Sequence, residues 1–282
     1  MNVEAFEQGL TDLGYRIGQD VTIEYRFAER RLDLLPLLTA EILRLGVDVF
    51  FAASPYALRT ATHATQTAPI VGIDLESDPV AEGWVKSIAR PGGNVTGFFL
   101  DIPELSTKEL QFLTATVAGL RRVAIIWDRA VAGLQFKAIE KVGHAVGLTI
   151  VSLPFEQPQE FAASFDEGRR QRASAVVILT SPAAFSNLRR LAEIALERHL
   201  PSICVFPQFA QAGGLMGYGP VLPDLFRQAA SYVARILKGA RPAELPVQRP
   251  VAFRLAVNAN TARALGVTFP QSVLLRAEEV IE

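Results

Sequence analysis

Apolar residues recur along this chain at two spacings. Over residues 3–13 the spacing is helical, whereas residues 21–27, VTIEYRF, alternate apolar with polar after the Gly18 turn and predict a strand. Residues 34–45 predict a second helix, closed by Gly46. From there strand and helix take turns: VDVFFAA (47–53), a helix over 57–66, PIVGID (69–74), a helix over 82–90, and NVTGFF (94–99). The series then repeats, with a helix over 104–117, RRVAIIW (121–127), a helix to Val146, LTIVSL (148–153), a helix to Arg172, AVVILT (175–180), a helix to His199, and SICVF (202–206). Such alternation specifies parallel sheets with helices on both faces, here two Rossmann-like α/β lobes. The last stretch departs from it: GGLMGYGP (213–220), a long helix over 222–237, then the extended, proline-spaced PVQRPVAFRLAVN (246–258).

The densest glycine signal is the turn Pro91-Gly92-Gly93-Asn94. A phosphate-binding loop follows a strand and opens a helix, so that free backbone N–H groups face the anion. Here the predicted order is reversed. Gly92 and Gly93 are expected to end the helix over 82–90 and to feed a passage between lobes. With the later extended segments this gives three expected passages, near 97–102, 218–223 and 246–254. The expected lobes are residues 1–98 with 223–246 returning, and 99–222 with 250–282 partly returning. Three crossings permit closure about a cleft.

The two halves match in one local detail. FFAASPYALRTA and VILTSPAAFSNL each run from an apolar strand through Ser-Pro into a helix. Serine suits the N-cap, proline the first helical position, and the carboxyl edge of an open α/β sheet is where ligands bind. Ser54 and Ser181 thus mark two helix N-termini; each alone reads equally well as a plain helix start.

Composition narrows the function. Lys and Arg number 28 against 29 Asp and Glu, a net charge of -1, which leaves no basic footprint for nucleic acid. Cys204 is the sole cysteine, so the chain has neither an internal disulfide nor a thiolate cluster, and its apolar surroundings read as a small buried hydrophobe. No apolar run approaches the roughly 18 residues of a membrane span, and no charged-then-apolar leader opens the chain.

At this point the chain resembles the exported substrate-binding proteins of ABC importers that include tryptophan- and tyrosine-type uptake systems. The resemblance rests on VEAFEQGLTDLGY, VTIEYRFAE, LPLLTAEILRLGVDVFFA, SDPVAEGWVKSIARPGGNVTGF, AGGLMGYGP, YVARILKGARPAELPVQRP and NANTARALGVTFP, in order along nearly the whole chain. It implies the type I periplasmic binding architecture, capture of a small molecule between the lobes, delivery to an ABC permease, a monomer, a periplasmic location, and neither catalysis nor a cofactor. Members of that family carry a leader and a first strand ahead of the helix matching Val3–Leu13; neither is in this sequence. Loss of a central first strand is expected to leave a gap between its neighbours; either the start is placed too far downstream or the chain is a shortened paralogue, cytoplasmic if that start is genuine.

The ligand-side candidates are the strand ends: Ser54, Tyr56, Asp74, Glu76, Phe99, Trp127, Asp128, Thr180, Ser181, Phe206, Phe209 and Tyr218. Apolar walls with a few convergent polar groups make a small-molecule site. Tyr56, Trp127, Phe206, Phe209 and Tyr218 are candidates to sandwich a planar ring, Trp127 first, with about half of them expected to fill the interior instead. Asp74, Glu76 and Asp78 alternate in DLESD, too few oxygens for a hard cation, so a ligand amino group is the better partner for Asp74 or Glu76. His63, His144 and His199 lie on predicted helices with no serine-nucleophile elbow or metal-protease motif nearby. The leading reading is therefore a non-enzymatic solute-binding component taking an aromatic carboxylate or amino acid; a cytoplasmic ligand-sensing regulator of the same fold is the alternative.

Overall fold

The computed structural model describes residues 2–29 and 31–282. In chain order the helices are α1 (Asn2–Asp12), α2 (Leu35–Arg44), α3 (Pro55–Ala64), α4 (Ile102–Thr116), α5 (Gly133–Ala145), α6 (Phe161–Arg170), α7 (Pro182–Phe185), α8 (Leu188–Glu197), α9 (Gln208–Gln211), α10 (Leu222–Leu237), α11 (Ala259–Ala264) and α12 (Gln271–Leu274). The strands are β1 (Phe50–Ala52), β2 (Ile70–Asp74), β3 (Val95–Phe99), β4 (Arg122–Asp128), β5 (Thr149–Phe155), β6 (Ala175–Ile178), β7 (Ser202–Cys204), β8 (Met216–Pro220), β9 (Phe253–Asn258) and β10 (Glu279–Ile281). They divide into two units. The first holds the described residues up to Leu100 together with Leu222–Pro250, the second Asp101–Val221 with Val251–Glu282, so the chain passes between units after Leu100, Val221 and Pro250.

In the first unit three parallel strands pair in the order β1-β2-β3. β2 and β3 are buried at every position, as strands covered on both faces must be. α10 packs on β2 and β3 and carries α1, while α3 packs on β1 and β2 and carries α2. Phe51 of β1 stacks on Phe6 of α1 at 4.5 Å between ring centres and meets Phe226 of α10 edge-on at 5.7 Å. Gly97 sits at φ 143°, and a Cβ there would lie 2.0 Å from the carbonyl oxygen of Gly72. Only glycine lets β2 and β3 approach this closely.

In the second unit seven strands pair in the order β10-β9-β8-β7-β6-β4-β5. All pairs are parallel except β8 with β9, which run antiparallel; the extended C-terminal segment makes its passage after Pro250 and then adds residues 253–258 to the sheet as β9. Val123 and Ile125 of β4 enter a core with Leu110 and Leu113 of α4, Ile139 of α5 and Val257 of β9. α6 packs on β4 and β5, and α9 on β8 and β9.

Three sequence expectations fail locally. Residues 21–27 form no strand: Val21 makes one isolated bridge to Ile17, and Tyr25 and Phe27 are 38% and 64% exposed. Alternation promises a strand only where a neighbour offers a ladder, and among the described residues β1 pairs with β2 alone. Residues 82–90 form no helix. Gly83 at φ 74° breaks it, and Trp84 and Val85 both donate to Pro79 O while Lys86 donates to Pro91 O, giving an irregular loop that drops Trp84 and Val85 onto the core. Gly92 and Gly93 therefore end a loop rather than a helix. The helix expected to run to His199 is broken between α7 and α8, where the Asn187 side chain donates to Ala183 O at 2.8 Å and stops the first turn.

Candidate functional site

Register alone builds a row of residues at the carboxyl edge of each sheet. In the first unit Ala52 pairs with Gly72, and Asp74 with Phe99. Asp74 and Phe99 thus end their strands side by side, and Ser54 follows the end of β1 by two residues. In the second unit Ile126 pairs with Ile178 and Ile178 with Cys204. Two residues beyond each stand Asp128, Thr180 and Phe206.

Ser54 caps α3. Its backbone is extended (φ -167°, ψ 158°), Oγ accepts from Ala57 N at 3.1 Å, and Pro55 opens the helix. A cap of this kind contributes about 1 kcal/mol to its helix. Tyr56, one residue into the first turn, is half-buried. Asp74 is fully buried at the end of β2. Its Oδ1 accepts from Glu76 N at 2.8 Å and Ser77 N at 3.0 Å, while the Glu76 carboxyl accepts from Leu75 N at 3.1 Å. Asp74 Oδ2 has no partner. Burial pushes the Asp74 carboxyl upward, against the pull of the hydrogen bonds from Glu76 and Ser77. Phe99, 1% exposed, packs within the core beside Trp84.

In the second unit Asp128 is 4% exposed. Its Oδ1 accepts from Ala130 N at 2.9 Å and its carboxyl is bonded by the Ser181 side chain; burial outweighs both and raises its pKa. Ser181 repeats the geometry of Ser54, with φ -164°, ψ 160° and Oγ accepting from Ala184 N at 3.1 Å, yet the helix it caps has only four residues. Asp128 and Ser181 are thus brought together, and the dipole expected from a long helix at Ser181 is absent. Thr180 is held by Gln135 of α5, whose Nε2 donates to Thr180 O and whose Oε1 accepts from Thr180 N, both at 3.2 Å.

The expected aromatic sandwich divides. Trp127 is half-buried, stacks on Phe136 at 4.9 Å and 16°, and donates from Nε1 to Ser152 Oγ at 3.0 Å. Tyr218 is half-buried between Phe112 at 5.0 Å and Phe253 at 5.6 Å, and burial, first among the causes, raises its hydroxyl pKa. Phe206 and Phe209 are 2% and 0% exposed and fill the interior; Phe206 meets Phe185 edge-on at 4.8 Å, and Phe209 lies where a Cβ on Gly214 would go.

Gln135, Phe136 and Ser152 escaped the sequence reading. Gln135 left one signal, since it shares a helix face with Ile139 and Gly143, all buried, and a polar residue at such a position needs a specific partner. Among the described residues no group of three or more His, Cys, Asp or Glu is placed to hold a metal ion, and no helix is long and apolar enough to cross a membrane. Cys204 is fully buried, its thiol pushed up to about 12 chiefly by burial.

A family model described as ABC transporter substrate binding protein matches residues 1–281. A tyrosine-binding protein of Clostridioides difficile strain R20291 is 21% identical over 266 residues, 93% of this chain and 75% of that one. Among solved structures, an ABC domain in complex with L-Trp from Streptococcus pneumoniae superposes with a TM-score of 0.91 at 21% identity, covering 99% of this chain and 94% of that one. A ligand-free, open substrate-binding protein with adhesive properties from Clostridium difficile gives 0.73 at 21% identity, covering 99% and 94%. The α/β fold with its parallel sheets matches that of type I periplasmic binding proteins.

Proposed function

From the premise that this chain belongs to the ABC transporter substrate-binding protein family, we propose that it captures a small aromatic carboxylate or amino acid and passes it unchanged to the permease of its importer. The observation that carries the reading is the pair of strand-end rows, Ser54–Asp74–Phe99 and Asp128–Thr180–Phe206, each with buried polar groups at the edge where α/β sheets meet ligands. The aromatic preference is supported by the tyrosine-binding relative and by the L-Trp held by a protein of the same fold.

In this reading the ligand-binding residues are Ser54, Tyr56, Asp74 and Glu76 in the first unit and Trp127, Asp128, Thr180, Ser181 and Tyr218 in the second. Tyr56, Trp127 and Tyr218 keep exposure and serve the ring; Phe99, Phe206 and Phe209 back the walls. The protein works as a monomer on the outer side of the cytoplasmic membrane. Isothermal titration of the purified chain with L-tryptophan, L-tyrosine and L-phenylalanine tests the reading. Saturable binding of at least one, with the compound recovered unaltered, supports it; no binding of any aromatic amino acid or carboxylate refutes it.

A further inference from the structure

The carboxyl edge of the second unit's sheet holds the candidate site, and its amino edge collects arginines. Arg121 precedes β4 and Arg122 opens it. Thr149 N at the start of β5 donates to Arg121 O at 2.8 Å, and Ser174 N, just before β6, donates to Arg122 O at 3.0 Å. The two arginines therefore sit between the starts of β5 and β6. α6 ends against them: a Cβ on Gly168 would lie 3.2 Å from Ala124 and Leu153, and Arg122 Nη1 donates to Gln171 O at 2.6 Å. This seats Arg169, Arg170 and Arg172 beside the start of β4. Val146, 61% exposed, stands at the same edge three residues before Thr149.

Part of this charge is answered within the protein. Arg170 pairs with Glu167, and Arg198 pairs with Asp166 at 2.9 Å and Glu197 at 2.7 Å. Arg169 acts on Asp166 only at longer range, and among the described residues Arg121, Arg169 and Arg172 form no ion pair. All three are exposed. The negative end of α6 accounts for Arg169 and Arg170 in its last turn, but not for Arg121 on another element or for Arg172 beyond the helix. Arg172 is held at φ 60°, a left-handed conformation in which glycine alone is unstrained. Its backbone favours glycine, yet an exposed cation stands there.

We infer that this amino edge is a docking surface for an anionic phospholipid bilayer. Clustered guanidinium groups match lipid phosphates with paired hydrogen bonds. Exposed Val146 among them suits the boundary between headgroups and acyl chains, which a dissolved polyanion does not offer. That the polyanion is a bilayer rests on the transport reading above, which sets the chain beside the membrane carrying its permease. The arginines and the candidate strand ends of this unit lie at opposite edges of one sheet, so a bilayer on the first leaves the second uncovered.

The test is cosedimentation of the wild-type chain with vesicles of phosphatidylcholine alone and with vesicles of phosphatidylcholine and phosphatidylglycerol in equal parts, at low and high NaCl. The expected result is binding to the anionic vesicles only, lost at high salt. Each basic side chain near such a surface contributes about fivefold. Arg121→Gln should therefore weaken binding by about fivefold, and Arg169→Gln combined with Arg172→Gly by about tenfold or more. Because glycine suits the backbone at position 172, the double variant should melt no lower than wild type. Titration with aromatic amino acids should give the same affinity for variants and wild type, so the docking surface and the cargo reading fail separately. Absence of binding to the anionic vesicles at low salt overturns the inference, as does binding that both variants leave unchanged. Retention by soluble polyglutamate but not by the vesicles would point to an acidic protein partner and overturns the bilayer assignment.

Discussion

Gln135 holds Thr180 by both backbone groups, Nε2 to the carbonyl oxygen and Oε1 to the N–H, each at 3.2 Å. Through that clamp α5 fixes the end of β6, and with it Ser181 and the Ser181–Asp128 contact. Replacing Gln135 with leucine removes both bonds inside a buried site. The expected cost is about 2 kcal/mol, the scale of leaving buried polar groups unsatisfied, read as a lower midpoint in chemical denaturation with an unchanged m-value. A midpoint equal to wild type would mean that the turn is held by other contacts.

Trp127 and Phe206 separate ring contact from wall filling. Trp127 keeps exposure, whereas Phe206 is 2% exposed. Trp127→Ala should weaken an aromatic ligand by about tenfold or more, the effect of losing roughly 1.4 kcal/mol. Phe206→Leu should cost stability, about 1 kcal/mol for a shape change in a packed core, with ligand affinity within about threefold. The reverse pattern in titration and denaturation would exchange their roles.

Glu109 of α4 is 1% exposed, its Oε1 has no partner, and burial drives its carboxyl well above the ordinary range. A carboxyl whose folded pKa lies above its unfolded value near 4.3 binds more protons folded than unfolded, so its contribution is fully present below that value and is lost as pH rises through the folded pKa. Glu109→Gln removes the titration. The variant should gain stability relative to wild type as pH increases from 4 to 9, measured by urea denaturation at each pH. A difference that does not change with pH would show that Glu109 stays in one protonation state throughout.

Residues 22–28 lie outside any ladder, and Phe27 is 64% exposed. Their amides should exchange with deuterium orders of magnitude faster than those of Val71 and Ile73 in β2, and Phe27→Ser should alter stability by less than about 0.5 kcal/mol. Strong protection over 22–28 would instead reveal a paired strand.

The same residues show what the sequence could carry. Runs such as AVVILT and RRVAIIW were legible because buried parallel strands need no partner-specific pattern, and the Ser-Pro junctions were legible because capping is local chemistry. VTIEYRF has equal strand character, but forming a strand depends on a neighbouring edge that local residues do not encode. The loop around Gly83 misled for a related reason: Trp84, Val85 and Ile88 face the core with helical spacing, yet the backbone reaches it through turns. In the site, strand-end positions could be named from the chain alone. The enclosure of Phe99, Phe206 and Phe209 and the Gln135 clamp depend on contacts between distant segments.

The most direct measurement is the thermal unfolding of the wild-type chain with and without saturating aromatic amino acids. A ligand at about a hundred times its dissociation constant adds about 2.7 kcal/mol to the folded state, so the account predicts a clear rise in Tm for L-tryptophan or L-tyrosine and none for a sugar such as glucose. An unchanged Tm across aromatic amino acids and aromatic carboxylates alike would contradict it.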